Sequence, residues 1–245
     1  FNYIVYHRHI LYTISILLIY YQSTYLSTYL GGIMELSRRA TEQKARETFI
    51  IDKAIELFCE YGFEHVSMDL IAKEAEFTKR TIYRYFQSKE ELYFAAAYRG
   101  HEYLYAMLTE AIDKGTTGYD KIRLAYYAYY EYWKKHSALA QLVNERQYTK
   151  LNNSATDSFF YKQFMNLDKQ IFDKLLDIYH LGFADKSIHA EGDVEYLTYS
   201  SIYSAVSFFQ LYRVTGESYT RHLGLNSEKF VTITIEQMLS QIKGK

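Results

Sequence analysis

The sequence predicts an all-α fold. Proline is absent from all 245 residues and only 11 are glycine, so little in the chain interrupts helices. Apolar residues recur at helical spacing in segment after segment. The formal net charge of −1 argues against non-specific coating of nucleic acid and leaves local charged patches as the informative feature. A single cysteine, Cys59, excludes an intrachain disulfide and fits a reducing compartment. On the apolar side of its helix it reads as a packed thiol.

Residues 1–33 differ from everything after them. The stretch begins with Phe1, the first methionine is Met34, and apart from Arg8, His7 and His9 it is nearly uncharged. Its apolar run, Ile10 to Tyr21, is shorter than the roughly 20 residues that span a bilayer. Leu30-Gly31-Gly32-Ile33 is a poor signal-peptidase site. Gly31-Gly32-Ile33-Met34 can be encoded by a purine-rich ribosome-binding tract followed by a start codon. We therefore expect 1–33 to be a translated upstream leader, with Met34 as the natural start.

From Ser37 to Tyr61 a helix is expected, with Ile50, Ala54, Leu57 and Phe58 as its inner stripe. Gly62 follows at the position that favours a left-handed residue. Met68 to Glu74 forms a second, short helix capped by Ser67, and after a turn at Glu76–Phe77 a third runs from Thr78 to Tyr85. Ile82 and Phe86 face inward. Ser88-Lys89-Glu90-Glu91 has capping-box spacing and opens a fourth helix. Two short helices across a tight turn make a helix-turn-helix. Residues 34–100 hold eleven basic and twelve acidic side chains, yet Thr78 to Lys89 holds Lys79, Arg80, Arg84 and Lys89 and no acid. Such local positive charge, interleaved with Tyr83 and Tyr85, suits a surface that meets phosphates.

These residues carry a resemblance. Ile71-Ala72-Lys73-Glu74-Ala75, Thr78 to Phe86 and Ser88 to Leu92, with Ala54 to Phe58 and Tyr61-Gly62-Phe63 upstream, are similar to the DNA-binding domain of the tetracycline-repressor (TetR) family. The similarity is specific from Arg46 to Leu92 and continues beyond only as helical architecture and length. Glu76 and Arg80 stand where the family usually has glycine. A non-glycine residue in a left-handed turn costs roughly 1 kcal/mol.

The resemblance implies a sequence-specific regulator, most simply a repressor released by a small molecule. It would be a cytoplasmic homodimer on a roughly palindromic operator. By that likeness Lys79, Tyr83, Tyr85 and Lys89 contact phosphates, with Ser67 at the start of its helix. Thr78, Arg80, Thr81 and Arg84 are the candidates for base edges. The expected organisation is a DNA-binding domain over 34–92 and a helical ligand-binding and dimerisation domain over 93–245.

The remaining elements are read in order. A long helix runs from Lys89 towards Lys114 and ends at the loop Gly115-Thr116-Thr117-Gly118. Tyr119 to Lys135 crowds aromatic residues onto more than one face, which marks a central helix. Core packing explains them; a pocket lined by rings is the alternative, with Tyr127, Tyr130, Trp133, Phe164 and Phe208 as candidates. Ala138 to Tyr148 is a short helix before an Asn152-Asn153-Ser154 loop. Asp157 to His180 is a long one, with Gly182 after its end. Asp193 to Val214 follows, with a stripe of Ser200, Ser204 and Ser207. The last helix, capped by Ser227, carries Val231, Ile235, Met238 and Ile242. Ser200, Ser204, Ser207, Ile235 and Met238 are the dimer-interface candidates.

No nucleophile elbow, phosphate-binding loop or zinc-ligand spacing is present, so neither an enzyme nor a bound metal or cofactor is indicated. The residues alone leave open a helical enzyme with a dispersed site, an interaction module, or a DNA-binding factor that needs no ligand.

Overall fold

A computed structural model describes residues 37–144, 157–189 and 192–244. The expectation for the leader 1–33 lies outside these residues, as does the loop at 152–154. The chain divides into two compact units between Ile50 and Ile51. Helix α1 covers 37–61, followed by a 3₁₀ turn at Phe63–His65 and then α2 (Met68–Glu74), α3 (Lys79–Tyr85) and α4 (Lys89–Ile112). Next come α5 (Gly118–Lys135), α6 (Ser137–Asn144) and α7 (Phe159–Ala184). The chain closes with α8 (Val194–Leu211), α9 (Glu217–His222) and α10 (Ser227–Ser240). Among the described residues the fold is all helix, with one isolated bridge between Ile188 and Lys243.

Side-chain caps set most of the boundaries. Thr78 and Ser88 accept the backbone N–H of Thr81 and Glu91, and Thr117 accepts that of Asp120. Each satisfies one of the amides left free at a helix start. The box at Ser88 closes one residue early: Glu91 Oε2 accepts from Gln87 N at 2.7 Å, ahead of the capping serine itself. Gly62 ends α1, its N–H donating to Phe58 O, but at φ 78° and ψ 156° it is extended with positive φ rather than the left-handed residue expected there.

Helix α5 is the axis of the core. Tyr126, Tyr129, Tyr132 and Trp133 are all buried on it, surrounded by Leu104 and Leu108 of α4, Ile171 and Ile178 of α7, Phe209 of α8 and Ile235 of α10. Helix α4 is enclosed at its N-terminal end, where Leu92 to Ala97 are all at most 1% exposed. Tyr93 packs edge-on against Phe58 and Phe63 at 5.7 and 5.1 Å and donates its hydroxyl to Leu142 O of α6. A Cβ at Gly100 would sit 2.5 Å from Val143 Cγ2, so glycine lets α6 close onto α4. One stiff, buried helix thus joins the helix-turn-helix end to the C-terminal core.

Three boundaries differ from the sequence reading. Gly182 does not end α7, which runs to Ala184. Its missing side chain serves contact instead: a Cβ on Gly118 would lie 2.2 Å from Gly182 Cα, so the start of α5 rests directly on α7. The amides of Gly118 and Tyr119 are taken by Asp185 and Ser187, just past the end of α7. The helix from Val194 does not continue as α-helix to Val214 but passes at Tyr212 into a π-helical turn, Tyr212–Gly216, leading into α9. Asn226, not Ser227, caps α10, its Oδ1 accepting from Lys229 N at 2.8 Å. Cys59 is half-buried.

Candidate nucleic-acid interface and internal cavity

Helix α2 places Met68, Ile71 and Ala72 in the core, and α3 adds Ile82 with Phe86 just beyond its end. The turn between them is a Schellman motif: Phe77 N donates to Ala72 O at 2.9 Å and Glu76 N to Lys73 O at 3.1 Å. Glu76 sits at its left-handed position with φ 56°, where glycine is the usual residue.

With Ile82 pinned inward, α3 turns Lys79, Arg80, Tyr83 and Arg84 to solvent. Arg80, Tyr83 and Arg84 stand at i, i+3 and i+4 and share one face. The Arg84 guanidinium lies 5.4 Å from the Tyr85 ring centroid. Thr78 and Thr81 are committed locally, their hydroxyls 2.9 Å apart beside the cap; likewise Ser67 Oγ accepts from Leu70 N. Lys79 is paired with Asp69 of α2 at 2.8 Å, both side chains more than half exposed. The carboxylate raises the lysine's pKa through their hydrogen bond. Lys89 reaches back to Phe63, donating to its carbonyl at 2.8 Å with the ammonium 4.1 Å from its ring centroid. Sequence reasoning missed both partnerships, since ten and twenty-six residues separate the members.

A cavity of about 490 Å³ opens within the C-terminal helices. Its walls are Leu104 and Leu108 of α4, Ile122, Tyr126 and Tyr129 of α5, Ile171 and Tyr179 of α7, and Ile202 and Ala205 of α8. His101 and Asp168 form its polar corner, 2.9 Å apart. Burial pushes the Tyr179 hydroxyl up to about 12 and that of Tyr126 higher still; Tyr126 donates to Ser201 O at 3.3 Å.

None of the five pocket candidates lines this cavity. Tyr127 donates to Glu236 at 2.6 Å, and burial followed by that bond raises it to about 12. Tyr130 and Trp133 stack on Phe209. Phe208 packs on Tyr212 and Phe230, while Phe164 stands behind His101, stacked at 4.5 Å. A helix turns 100° per residue, so the neighbours Tyr126 and Tyr129 line the space instead. When aromatics surround a helix, the pattern carries no sign of which face borders a void.

Ser200, Ser204 and Ser207 are exposed on α8, and the first two donate back to carbonyls of their own helix. Tyr196, Tyr203 and Leu211 on the same helix are 79%, 56% and 65% exposed. Ile235 is a further correction: it is fully buried in the subunit's own core, and Met238 is packed against that core. The outward apolar residues of α10 are Phe230 and Ile233. Ile235 was placed wrongly because an unbroken apolar stripe reads alike whether it faces its own subunit or a partner.

Two short helices across a Schellman turn, the second presenting arginines from a pinned scaffold, define a helix-turn-helix DNA-binding domain. Residues 50–96 match the family model of bacterial regulatory proteins, tetR family. It is 28% identical over 100 residues to the uncharacterized HTH-type transcriptional regulator YhgD of Bacillus subtilis, a match covering 41% of this chain and 52% of the relative. It is 30% identical over 118 residues to the HTH-type transcriptional activator FasR of Mycolicibacterium smegmatis, covering 48% and 53%. The chain spans about half the length of these curated relatives. Among solved structures, the ketosteroid transcriptional regulator KstR2 of Mycobacterium tuberculosis aligns with TM-score 0.62 at 17% identity, over 82% of this chain and 96% of that one. FadR of Bacillus subtilis, in complex with stearoyl-CoA, aligns with TM-score 0.61 at 20% identity, over 80% and 98%. These likenesses establish the fold. No helix among the described residues is long and apolar enough to cross a membrane.

Proposed function

We propose that the protein is a homodimeric, cytoplasmic, ligand-responsive transcription regulator, acting as a repressor that leaves its operator when a small molecule fills the cavity. The observation that carries this reading is the exposed Arg80–Tyr83–Arg84 face on a helix whose other side is locked by Ile82 and Phe86. Each subunit lays α3 in a major groove. Arg80 and Arg84 read base edges, with guanine the natural partner of arginine. Thr78 and Thr81, at the groove end of α3, lie close enough for the same task. Lys79, Tyr83, Tyr85 and Ser67 hold phosphates, and Lys89 keeps two N–H donors beyond the one given to Phe63. The functional division falls near Leu92, inside α4.

A two-fold dimer built on the outward faces of α8 and α10 implies a palindromic site with half-sites about one helical turn apart, or a multiple of that. Induction follows from linkage: a ligand that fits the cavity better in one arrangement of α4 than in another shifts operator affinity by that difference. The solved neighbour FadR of Bacillus subtilis is in complex with stearoyl-CoA, which supports a ligand-responsive reading of the same fold. The test is selection of genomic fragments by the purified protein. A short palindrome recovered repeatedly, and bound at two subunits per site, is the expected result; fragments without common sequence would refute the reading.

A further inference from the structure

The charge of the cavity restricts what it holds. Among the described residues its lining contains no lysine or arginine and one carboxylate, Asp168. The polar side chains of Ser201, Tyr203, Ser207 and Gln210 are neutral, and serve a cationic, anionic or uncharged head alike. Formal charge therefore decides the sign, and it rests on Asp168. The carboxylate is 2.9 Å from His101 Nε2. No described group accepts from His101 Nδ1, so a protonated ring would bury an N–H without a partner. The bonded imidazole is therefore neutral, and Asp168 keeps its negative charge. The lysines of its own helix are engaged elsewhere: Lys162 with Asp157, Lys169 with Asp173, and Lys174 over the Tyr105 ring.

The carboxylate is also reachable. Its side chain is 35% exposed, and the lining residues Tyr203, Ser207 and Gln210 are themselves exposed, so the cavity opens to solvent. Phe172 stands four residues after Asp168 on α7, which puts ring and carboxylate on one face, and both line the cavity. Leu104, Leu108, Ile122 and Ile171, all buried, supply an apolar interior.

Resting on the reading of this cavity as the inducer site, we infer that its ligand is a lipophilic cation, an amine or quaternary ammonium whose charged head sits by Asp168 and the Phe172 ring while its apolar body fills the interior. A cation beside a carboxylate and an aromatic face is favoured on both counts. An acid placed there meets Asp168 with no cation to offset it. About 490 Å³ is within the size range of pockets that enclose drug-sized molecules.

Three probes with one alkyl chain differ only in the head: n-octylammonium, n-octanol and octanoate. Each is titrated calorimetrically into the full chain at pH 8. Octylammonium is expected to bind about three- to thirtyfold tighter than octanol, the combined worth of a partly exposed ion pair and a cation–π contact, with octanoate weakest. Asp168→Asn keeps an oxygen for the His101 N–H and removes the charge. It should lower octylammonium affinity about two- to fivefold and leave octanol unchanged. Should that variant fail to fold, Phe172→Leu removes the ring and should lower octylammonium affinity alone, by about two- to fivefold. Octanol or octanoate binding as tightly as octylammonium, or undiminished octylammonium affinity in Asp168→Asn, would overturn the inference. Equal binding by all three sinks the inference alone, whereas binding by none sinks the inducer-site reading with it. Operator release, measured separately by fluorescence anisotropy, bears on the regulator reading.

Discussion

Replacing Glu76 with glycine should stabilise the protein, although glycine usually weakens a fold. Glu76 holds φ 56° at the turn of the helix-turn-helix. An L-residue there costs about 1–2 kcal/mol. Glycine removes that cost but surrenders about 0.5–1 kcal/mol by making the unfolded chain freer. The Glu76 side chain is exposed, so burial lost is negligible, and the net gain is about 0.5–1 kcal/mol. For a chain of this size that corresponds to a rise of about 1–4 °C in Tm, measurable by circular dichroism on heating. Two controls isolate the cause. Glu76→Ala keeps the left-handed penalty and should leave Tm nearly unchanged. Gly62→Ala should cost more, about 1–3 kcal/mol, because φ 78° with ψ 156° is a backbone region nearly confined to glycine, although nothing lies within 4 Å of the added Cβ. A Glu76→Gly protein no more stable than wild type, or a Glu76→Ala protein that gains equally, would refute the backbone argument.

Other expectations follow from the same geometry. Asp69→Asn releases Lys79 from its ion pair and should tighten binding to specific and random DNA alike, steepening the salt dependence in an anisotropy titration. Lys89→Ala removes both the brace on Phe63 and a phosphate donor; Tm should fall, and the salt slope should flatten by about one, whereas an unchanged slope would leave Lys89 purely structural. Asp185→Ala strips the amides at the start of α5 of a cap and should cost about 1 kcal/mol, read as a lower urea midpoint. The hydrogen bonds from Ser187 and Gly118 hold the Asp185 carboxyl below its ordinary value of 3.8. Its contribution is therefore present above that ordinary value and lost as pH falls from there through the lowered folded-state value, so the gap between Asp185→Ala and wild type should close in acid. Tyr196→Lys, on the exposed face of α8, should yield a monomer by sedimentation with operator affinity reduced at least about tenfold.

The sequence made some of this plain and hid the rest for identifiable reasons. Local chemistry was legible: Ser67 and Ser88 cap the helices their spacing announced, and the left-handed strain at Glu76 is present. What stayed hidden depended on distance or on facing. Gly182 reads as a stop because glycine often is one, and only its contact with Gly118 shows that it serves packing. The Lys79–Asp69 and Lys89–Phe63 contacts and the His101–Asp168 corner join residues that no local pattern pairs. Helix α5 carries aromatic residues on more than one face, which pointed to its central place and for that reason could not say whether Tyr126 or Tyr127 borders the cavity.

The claim at the centre of this account is that α3 reads base sequence through its exposed arginines. It is tested most directly by titrating salt against affinity for the best genomic site and for a scrambled version, with wild type and Arg80→Ala side by side. Wild type should prefer its site at every salt concentration. Arg80→Ala should lose about 1–3 kcal/mol on the specific site and relax preference at one base pair per half-site, while binding scrambled DNA nearly as before. Equal losses on both sequences would make Arg80 a phosphate contact, and a wild-type protein indifferent to sequence at every salt concentration would contradict the account.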